Sequence, residues 1–135
     1  MDVGLREAVR RRAHECCEYC HLPESADPLE VFHLEHVVAK QHGGGDQDYN
    51  LAWACGRCNR RKGTNLASID PETDQRVSLF NPRADNWTEH FSVKGAYVVG
   101  LTAAGRATAR LLDMNSFRRI GVRRRLIRRG RFPIS

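Results

Sequence analysis

The feature that most constrains this chain is a pair of C-x-x-C motifs, Cys17/Cys20 and Cys55/Cys58. Each motif can place two thiolates on one tetrahedral ion, so the two together predict a closed four-thiolate zinc shell. The chain between the motifs is long for a simple ribbon, so it must form structure of its own. A closed shell leaves no position for a substrate, and this ion is therefore predicted to be structural rather than catalytic.

Two other interpretations of these cysteines stay open at this point. The thiols could be unrelated buried groups, or one motif could be a redox pair, although a redox C-x-x-C usually lies in a thioredoxin-like βαβ context that this sequence lacks. A fifth cysteine, Cys16, precedes Cys17. Because only Cys17 has the two-residue spacing to Cys20, we interpret Cys16 as a small apolar packing residue.

The length of 135 residues fits one domain, or a small domain with a tail, and limits the core that can be buried. The chain has no apolar run long enough to span a membrane, and its N-terminus lacks the apolar segment of a signal peptide. We therefore expect a cytoplasmic protein with reduced cysteines and no membrane partner.

The positive charge is concentrated in the second half of the sequence. The net charge is +6, but residues 1–63 carry nine Lys/Arg against ten Asp/Glu, and residues 64–135 carry thirteen against six. This pattern indicates a phosphate-rich partner, although a solvated helix face would show it too. The excess lies mostly in Arg118, Arg119, Arg123, Arg124, Arg125, Arg128, Arg129 and Arg131.

Periodicity and capping residues predict an α+β protein. Two short strands and a helix fall between and after the cysteine motifs, with Gly63 ending the helix. A basic extension of mixed strands and helices follows, with Thr102 and either Asn115 or Ser116 as helix caps. The predicted helices cover 3–15, Cys55 through Arg61, 103–113 and 117–129, and the predicted strands cover 31–37, 50–54, 76–80, 90–94 and 96–100.

Residues suited to phosphodiester hydrolysis lie between the cysteine motifs and directly after the second. Such a reaction needs a base to activate water and a cation to stabilise negative charge on the phosphate. His36 can be the base, because its ordinary pKa is near neutrality. Glu35 and Asn59 offer the hard oxygen donors that Mg²⁺ and Mn²⁺ prefer. Asn50 can brace the intervening loop through its amide.

The order of these residues resembles the HNH endonuclease family, the ββα-metal nucleases. The resemblance rests on Glu35-His36, the glycine-rich loop Gly43-Gly44-Gly45-Asp46, Asn50-Leu51, and then Cys55-x-x-Cys58-Asn59-x-x-Lys62-Gly63. It implies that His36 is the general base, that Asn50 orients the loop and the histidine, and that Glu35 and Asn59 bind one catalytic Mg²⁺ or Mn²⁺. The third motif letter is commonly histidine, and asparagine also occurs there.

The resemblance implies a ββα-metal core over residues 1–64, held by a structural zinc, with an accessory basic extension over 65–135 packed on it. It implies a metal-dependent endonuclease that nicks or cuts double-stranded DNA and leaves a 5′-phosphate and a 3′-hydroxyl. Arg57, Arg60, Arg61 and Lys62 are predicted to hold DNA phosphates beside the metal. The main alternative is a non-catalytic, zinc-stabilised DNA-binding module, and an RNA-directed enzyme is a second.

Overall fold

The computed structural model describes residues 2–133, which form five α-helices and six short strands. The helices are α1 (Val3–Arg12), α2 (Gly56–Lys62), α3 (Trp87–His90), α4 (Ala103–Leu111) and α5 (Phe117–Arg128). The strands are β1 (His33–His36), β2 (Leu51–Ala54), β3 (Ala67–Ile69), β4 (Arg76–Ser78), β5 (Phe91–Lys94) and β6 (Tyr97–Gly100). They pair in sequence order as three antiparallel two-stranded sheets, β1–β2, β3–β4 and β5–β6. The predicted α+β class is confirmed.

The first helix is shorter than the sequence suggested. It begins at Asp2, whose carboxylate accepts a hydrogen bond of 2.8 Å from the Gly4 amide, as expected of a helix N-cap. It ends by Ala13 rather than at residue 15, because His14 and Glu15 adopt φ angles of 56° and 59°. Two successive left-handed residues turn the chain toward the first cysteine motif.

The next elements form the predicted ββα unit. In the β1–β2 sheet, Glu35 pairs with Ala52 and His36 pairs with Leu51. Every residue of β2 is buried, so this strand anchors the hairpin in the core. Helix α2 starts after Cys55, whose Sγ accepts from the Cys58 amide at 3.4 Å. It ends at Gly63, which adopts a φ of 53° as a C-cap glycine can.

The C-terminal half adds two hairpins and two longer helices. Thr102 caps α4 by accepting from the Gly105 amide, and Ser116, rather than Asn115, caps α5 by accepting from the Arg119 amide. Strand β3 and the single turn of α3 were not predicted. Among residues 2–133, no helix is both long enough and apolar enough to cross a membrane.

A single apolar cluster includes residues from both sides of position 64, and its members after that position include Phe80, Phe91, Val98, Leu112, Met114, Val122 and Leu126. The indole of Trp87 stacks on His21 at 3.9 Å between ring centroids and donates to the Tyr19 carbonyl at 2.7 Å. The extension therefore packs on the first cysteine motif. The division at residue 64 itself stays a prediction.

One buried ion pair holds the second half together. Asp70 is fully buried, and its carboxylate accepts from Arg106 Nε and Nη2 at 2.9 and 2.8 Å and from the Thr73 hydroxyl at 2.9 Å. The Arg106 guanidinium is the main reason that the pKa of Asp70 lies well below its ordinary value.

This pair predicts a specific pH dependence of stability. Since the folded-state pKa of Asp70 is below the unfolded value of about 3.9, the stabilisation is complete above that value and is lost as the pH falls through the folded-state pKa. Asp70→Asn should therefore lower Tm at neutral pH, and the gap from wild type should shrink in acid. Thermal unfolding from about pH 7 to about pH 2 measures this. Asp74→Asn, an exposed neighbour, is the control. A gap independent of pH would contradict the prediction.

Candidate metal centre and active site

The four motif cysteines meet at one point in the core. Cys17, Cys20, Cys55 and Cys58 are at most 3% exposed, and their sulfur atoms all lie within 4.8 Å of one another. The first two precede β1 and the other two begin α2, so the cluster joins both ends of the ββα unit. Four sulfurs at this spacing are compatible with a tetrahedral zinc site. Cys16 is outside the cluster and half-buried, and burial raises its pKa to about 11.

A buried arginine from the last helix lies against this cluster. Arg119 is 4% exposed, and its Nη1 and Nη2 lie 3.3 Å from Cys58 Sγ and 3.6 Å from Cys55 Sγ. A guanidinium is costly to bury without a negative partner. Four thiolates around a divalent ion would carry a net charge of about −2, which supplies that partner. The position of Arg119 therefore fits an ion in the cluster.

His36 lies at the end of β1, beside the glycine-rich loop. Its imidazole Nε2 is 2.7 Å from Asp46 Oδ1, and its side chain is 21% exposed. Lys40 Nζ lies 3.4 Å from the same carboxylate oxygen. The ring is thus held from one side and is accessible to solvent, which suits a group that exchanges a proton with water.

Asn50 holds the ends of this loop together. Its Oδ1 accepts from the Val38 amide at 2.9 Å, and its Nδ2 donates to the carbonyls of Val38 and Gly45 at 3.0 and 2.9 Å. Gly44 fits only without a side chain, because a Cβ there would lie 1.8 Å from the Val38 carbonyl oxygen. The glycine-rich motif therefore forms a tight loop whose ends are held together by the Asn50 side chain.

Glu35 is the centre of a buried polar network. The residue is 3% exposed, and its Oε1 accepts from the Tyr19 hydroxyl at 2.8 Å and pairs with Lys62 Nζ at 2.9 Å. Burial raises the pKa of Glu35, while Lys62 and Tyr19 act against that rise. Its second oxygen, Oε2, is buried and has no hydrogen-bond partner among residues 2–133.

Lys62 does not have the surface position that the sequence suggested. It is 2% exposed, and besides Glu35 its ammonium donates to the Val37 carbonyl at 2.9 Å and to that of His36 at 3.3 Å. A buried ammonium with three internal acceptors cannot also reach a DNA phosphate. We therefore do not retain the interpretation of Lys62 as a DNA contact in this conformation.

The other predicted residues of α2 are on or near the surface. Asn59 is half-buried, one residue after the cluster ligand Cys58. Arg57 pairs with Asp113 at 2.7 Å, and Arg60 lies 3.6 Å from Glu30 while its side chain is 66% exposed. Arg61 is exposed and donates to the Leu111 carbonyl at 3.2 Å.

The arginines of α5 have two different environments. Arg118 pairs with Asp27, while Arg119 and Arg123 are buried, and Arg123 donates to the carbonyls of Ala96 and Met114. These three therefore have packing and ion-pairing roles within the chain. Arg118 is itself exposed, and the other exposed arginines on α5 or just after it are Arg124, Arg125, Arg128, Arg129 and Arg131.

Comparison with known families supports the sequence interpretation. The model of the HNH endonuclease family matches residues 17–65, the segment that contains both cysteine motifs, β1, β2 and α2. The predicted resemblance is therefore confirmed, in that this segment matches the HNH endonuclease family and contains the four clustered cysteines. No curated protein and no solved structure matches the chain.

Three residues of this region were not assigned a site role from the sequence. Asp46 was visible in the glycine-rich motif, but nothing in one sequence indicates that it reaches His36. Tyr19 lies at a variable position of the first cysteine motif, and its hydroxyl donates to Glu35. Arg119 was counted among the basic tail residues, since composition cannot separate a buried arginine from an exposed one.

The cysteine cluster gives a direct test of its metal. We expect one zinc ion per chain after a chelator wash, and Cys17→Ser should lose it and unfold the core. Structural zinc in small domains contributes about 10–16 kcal/mol, which equals or exceeds the stability of most domains. Elemental analysis and circular dichroism are the measurements. Cys16→Ser is the matched control and should keep both the zinc and the fold. Absence of zinc in the wild type would contradict the assignment.

Proposed function

We propose that this protein is a metal-dependent DNA endonuclease that hydrolyses phosphodiester bonds, with a zinc ion in the four-cysteine cluster as a structural element. The observation that carries the proposal is the position of His36. In a domain of HNH type, its ring is held by Asp46 on one side and is partly exposed, directly after the buried carboxylate of Glu35.

His36 is the general base in this proposal. A ring nitrogen of neutral imidazole accepts the proton of a water molecule, and that water attacks the phosphorus of the scissile bond. Asn50 contributes through the backbone, because its amide fixes the loop on which Asp46 lies. Asn50 therefore acts by holding the loop in position, and it does not need to contact the substrate.

Glu35 and Asn59 would hold the catalytic cation, Mg²⁺ or Mn²⁺. The donor set fits such an ion, since both side chains offer hard oxygen atoms and Glu35 Oε2 is without a partner among residues 2–133. When bound, the cation neutralises charge on the phosphate and stabilises the leaving 3′ oxygen. Lys62 offsets part of the charge on Glu35 and opposes the rise in pKa that burial of this carboxyl group causes.

The proposed partner is double-stranded DNA. Arg57, Arg60 and Arg61 lie on α2 beside Asn59, and the exposed arginines of α5 add a second basic surface. Contacts of this kind fix the position of a duplex without reading its sequence. The cytoplasmic location suggested by the cysteine content stays a prediction.

A non-catalytic DNA-binding module is the second candidate. The closed cysteine cluster favours it, because such a site stabilises a fold without chemistry. The two functions differ in one measurement, which is divalent-metal-dependent cleavage of DNA.

The role of His36 predicts the effect of removing its ring. His36→Ala should lower the single-turnover rate of nicking of supercoiled DNA by about 10²–10⁴-fold, the usual contribution of general-base catalysis. DNA affinity should change little, since the phosphate contacts lie on α2 and α5. His42→Ala, an exposed histidine of the same loop, is the control and should nick normally.

Glu35→Gln should also lower the rate, and added Mn²⁺ should recover part of it if the defect lies in metal affinity. If His36→Ala cuts as fast as wild type, His36 is not the base. If the wild type cuts no DNA with Mg²⁺ or Mn²⁺ and binds it, the second candidate is correct.

The exposed arginines of α5 and of its C-cap, Arg129, predict the salt dependence of DNA binding. Replacing Arg124, Arg125, Arg128 and Arg129 with Gln should weaken affinity and flatten the slope of log K against log salt by about 0.9 for each lost phosphate contact. The buried Arg119 and Arg123 are left in place so that α5 stays docked. Removing the exposed charges of Arg76 and Lys94, on β4 and β5, is the control. An unchanged slope would show that α5 does not contact phosphates.

A further inference from the structure

The contact between His36 and Asp46 determines which ring nitrogen of His36 carries the hydrogen, as well as the position of the ring. Nε2 of His36 and Oδ1 of Asp46 are 2.7 Å apart, a short distance for a hydrogen bond between nitrogen and oxygen. An ionised carboxylate has no proton to donate, so the hydrogen in this bond belongs to Nε2. In the neutral ring the other nitrogen, Nδ1, then carries the free electron pair.

Two contacts hold Asp46 in place, one at the backbone of the preceding residue and one at its carboxylate. Asn50 Nδ2 donates to the carbonyl of Gly45, the residue directly before Asp46, at 2.9 Å. Lys40 Nζ lies 3.4 Å from the Asp46 carboxylate and balances its charge. Asn50 is only 8% exposed and is itself bound to Val38 near the other end of the loop. The buried Asn50 is thus connected to the His36 ring through the carbonyl of Gly45 and the carboxylate of Asp46.

We propose that Asp46 is a positioning residue that selects the Nε2–H tautomer of His36 and so makes Nδ1 the atom that accepts the proton from water. This inference rests on the proposed nuclease function for its consequence, but the tautomer itself does not depend on activity. The resemblance assigned the orientation of both the loop and the histidine to Asn50, and the proposal divides that role between two residues. Asn50 sets the loop, and Asp46 sets the ring.

The first experiment reads the tautomer without any substrate. In ¹⁵N-labelled protein, the chemical shifts of the two ring nitrogens of neutral His36 show which of them carries the hydrogen. Wild type should show the Nε2–H form, and Asp46→Ala should show a mixture of both forms. Asp48→Ala removes the same charge from the same loop, is exposed, and should leave the spectrum of His36 unchanged. An Nδ1–H form in wild type, or an unchanged tautomer in Asp46→Ala, would overturn the inference.

The second experiment measures the consequence. Asp46→Ala should slow single-turnover nicking by about 10–100-fold, the usual effect of removing a group that orients a site residue, whereas Asp48→Ala should not. DNA affinity should be the same in both variants, because each loses one negative charge. In the His36→Ala background, Asp46→Ala should cause no further loss of rate, since its effect passes through the ring. A further loss there would show that Asp46 acts by another route and would overturn the inference.

The two proposals fail in different ways. If no variant cuts DNA but the tautomer depends on Asp46 as expected, the nuclease function is wrong and the positioning role of Asp46 stands. If wild type cuts DNA and Asp46→Ala changes neither the tautomer nor the rate, Asp46 has no such role and the nuclease function stands.

Discussion

The arrangement of this molecule depends on the meeting of four buried thiols. The first cysteine pair follows α1 and the second begins α2, so the cluster fixes the start of the chain against the helix that carries Asn59. The hairpin of β1 and β2 lies between them in sequence and contributes Glu35 and His36. Without a common centre, a hairpin and a helix of seven residues would have little to hold them in one orientation.

At the candidate active site, two neighbouring residues of β1 differ in burial, and this difference suits different chemical roles. Glu35 is enclosed with Tyr19 and Lys62, whereas its neighbour His36 reaches solvent. Successive strand residues point to opposite faces, so the Glu35 side chain is enclosed while that of His36 is partly exposed to solvent. The buried ammonium of Lys62 reduces the cost of burying the carboxylate, and it bonds to the carbonyls of His36 and Val37, which connects α2 to the end of β1.

Much of this arrangement could be predicted from the sequence, because its signals are local. The cysteine spacing identified the cluster, Gly63 marked the end of α2, and Thr102 marked the start of α4. Apart from the cysteine cluster, contacts between residues far apart in sequence could not be predicted. Lys62 was predicted to contact DNA together with the arginines beside it, whereas its burial depends on Glu35, which lies on another element. The α5 arginines were treated as one group, although packing buries Arg119 and Arg123 and leaves the next two exposed.

Because the Arg119 guanidinium lies against the cysteine cluster, the segment that carries the recognisable motif is not the same as the segment that can fold by itself. The family match ends at residue 65, yet the charge that faces two of the cluster sulfurs comes from a helix that begins at Phe117. A fragment cut at the end of the match would keep every residue of the motif and lose its internal counter-charge. Transplanting this domain into another protein would therefore require a replacement cation at the sulfurs as well as the motif itself.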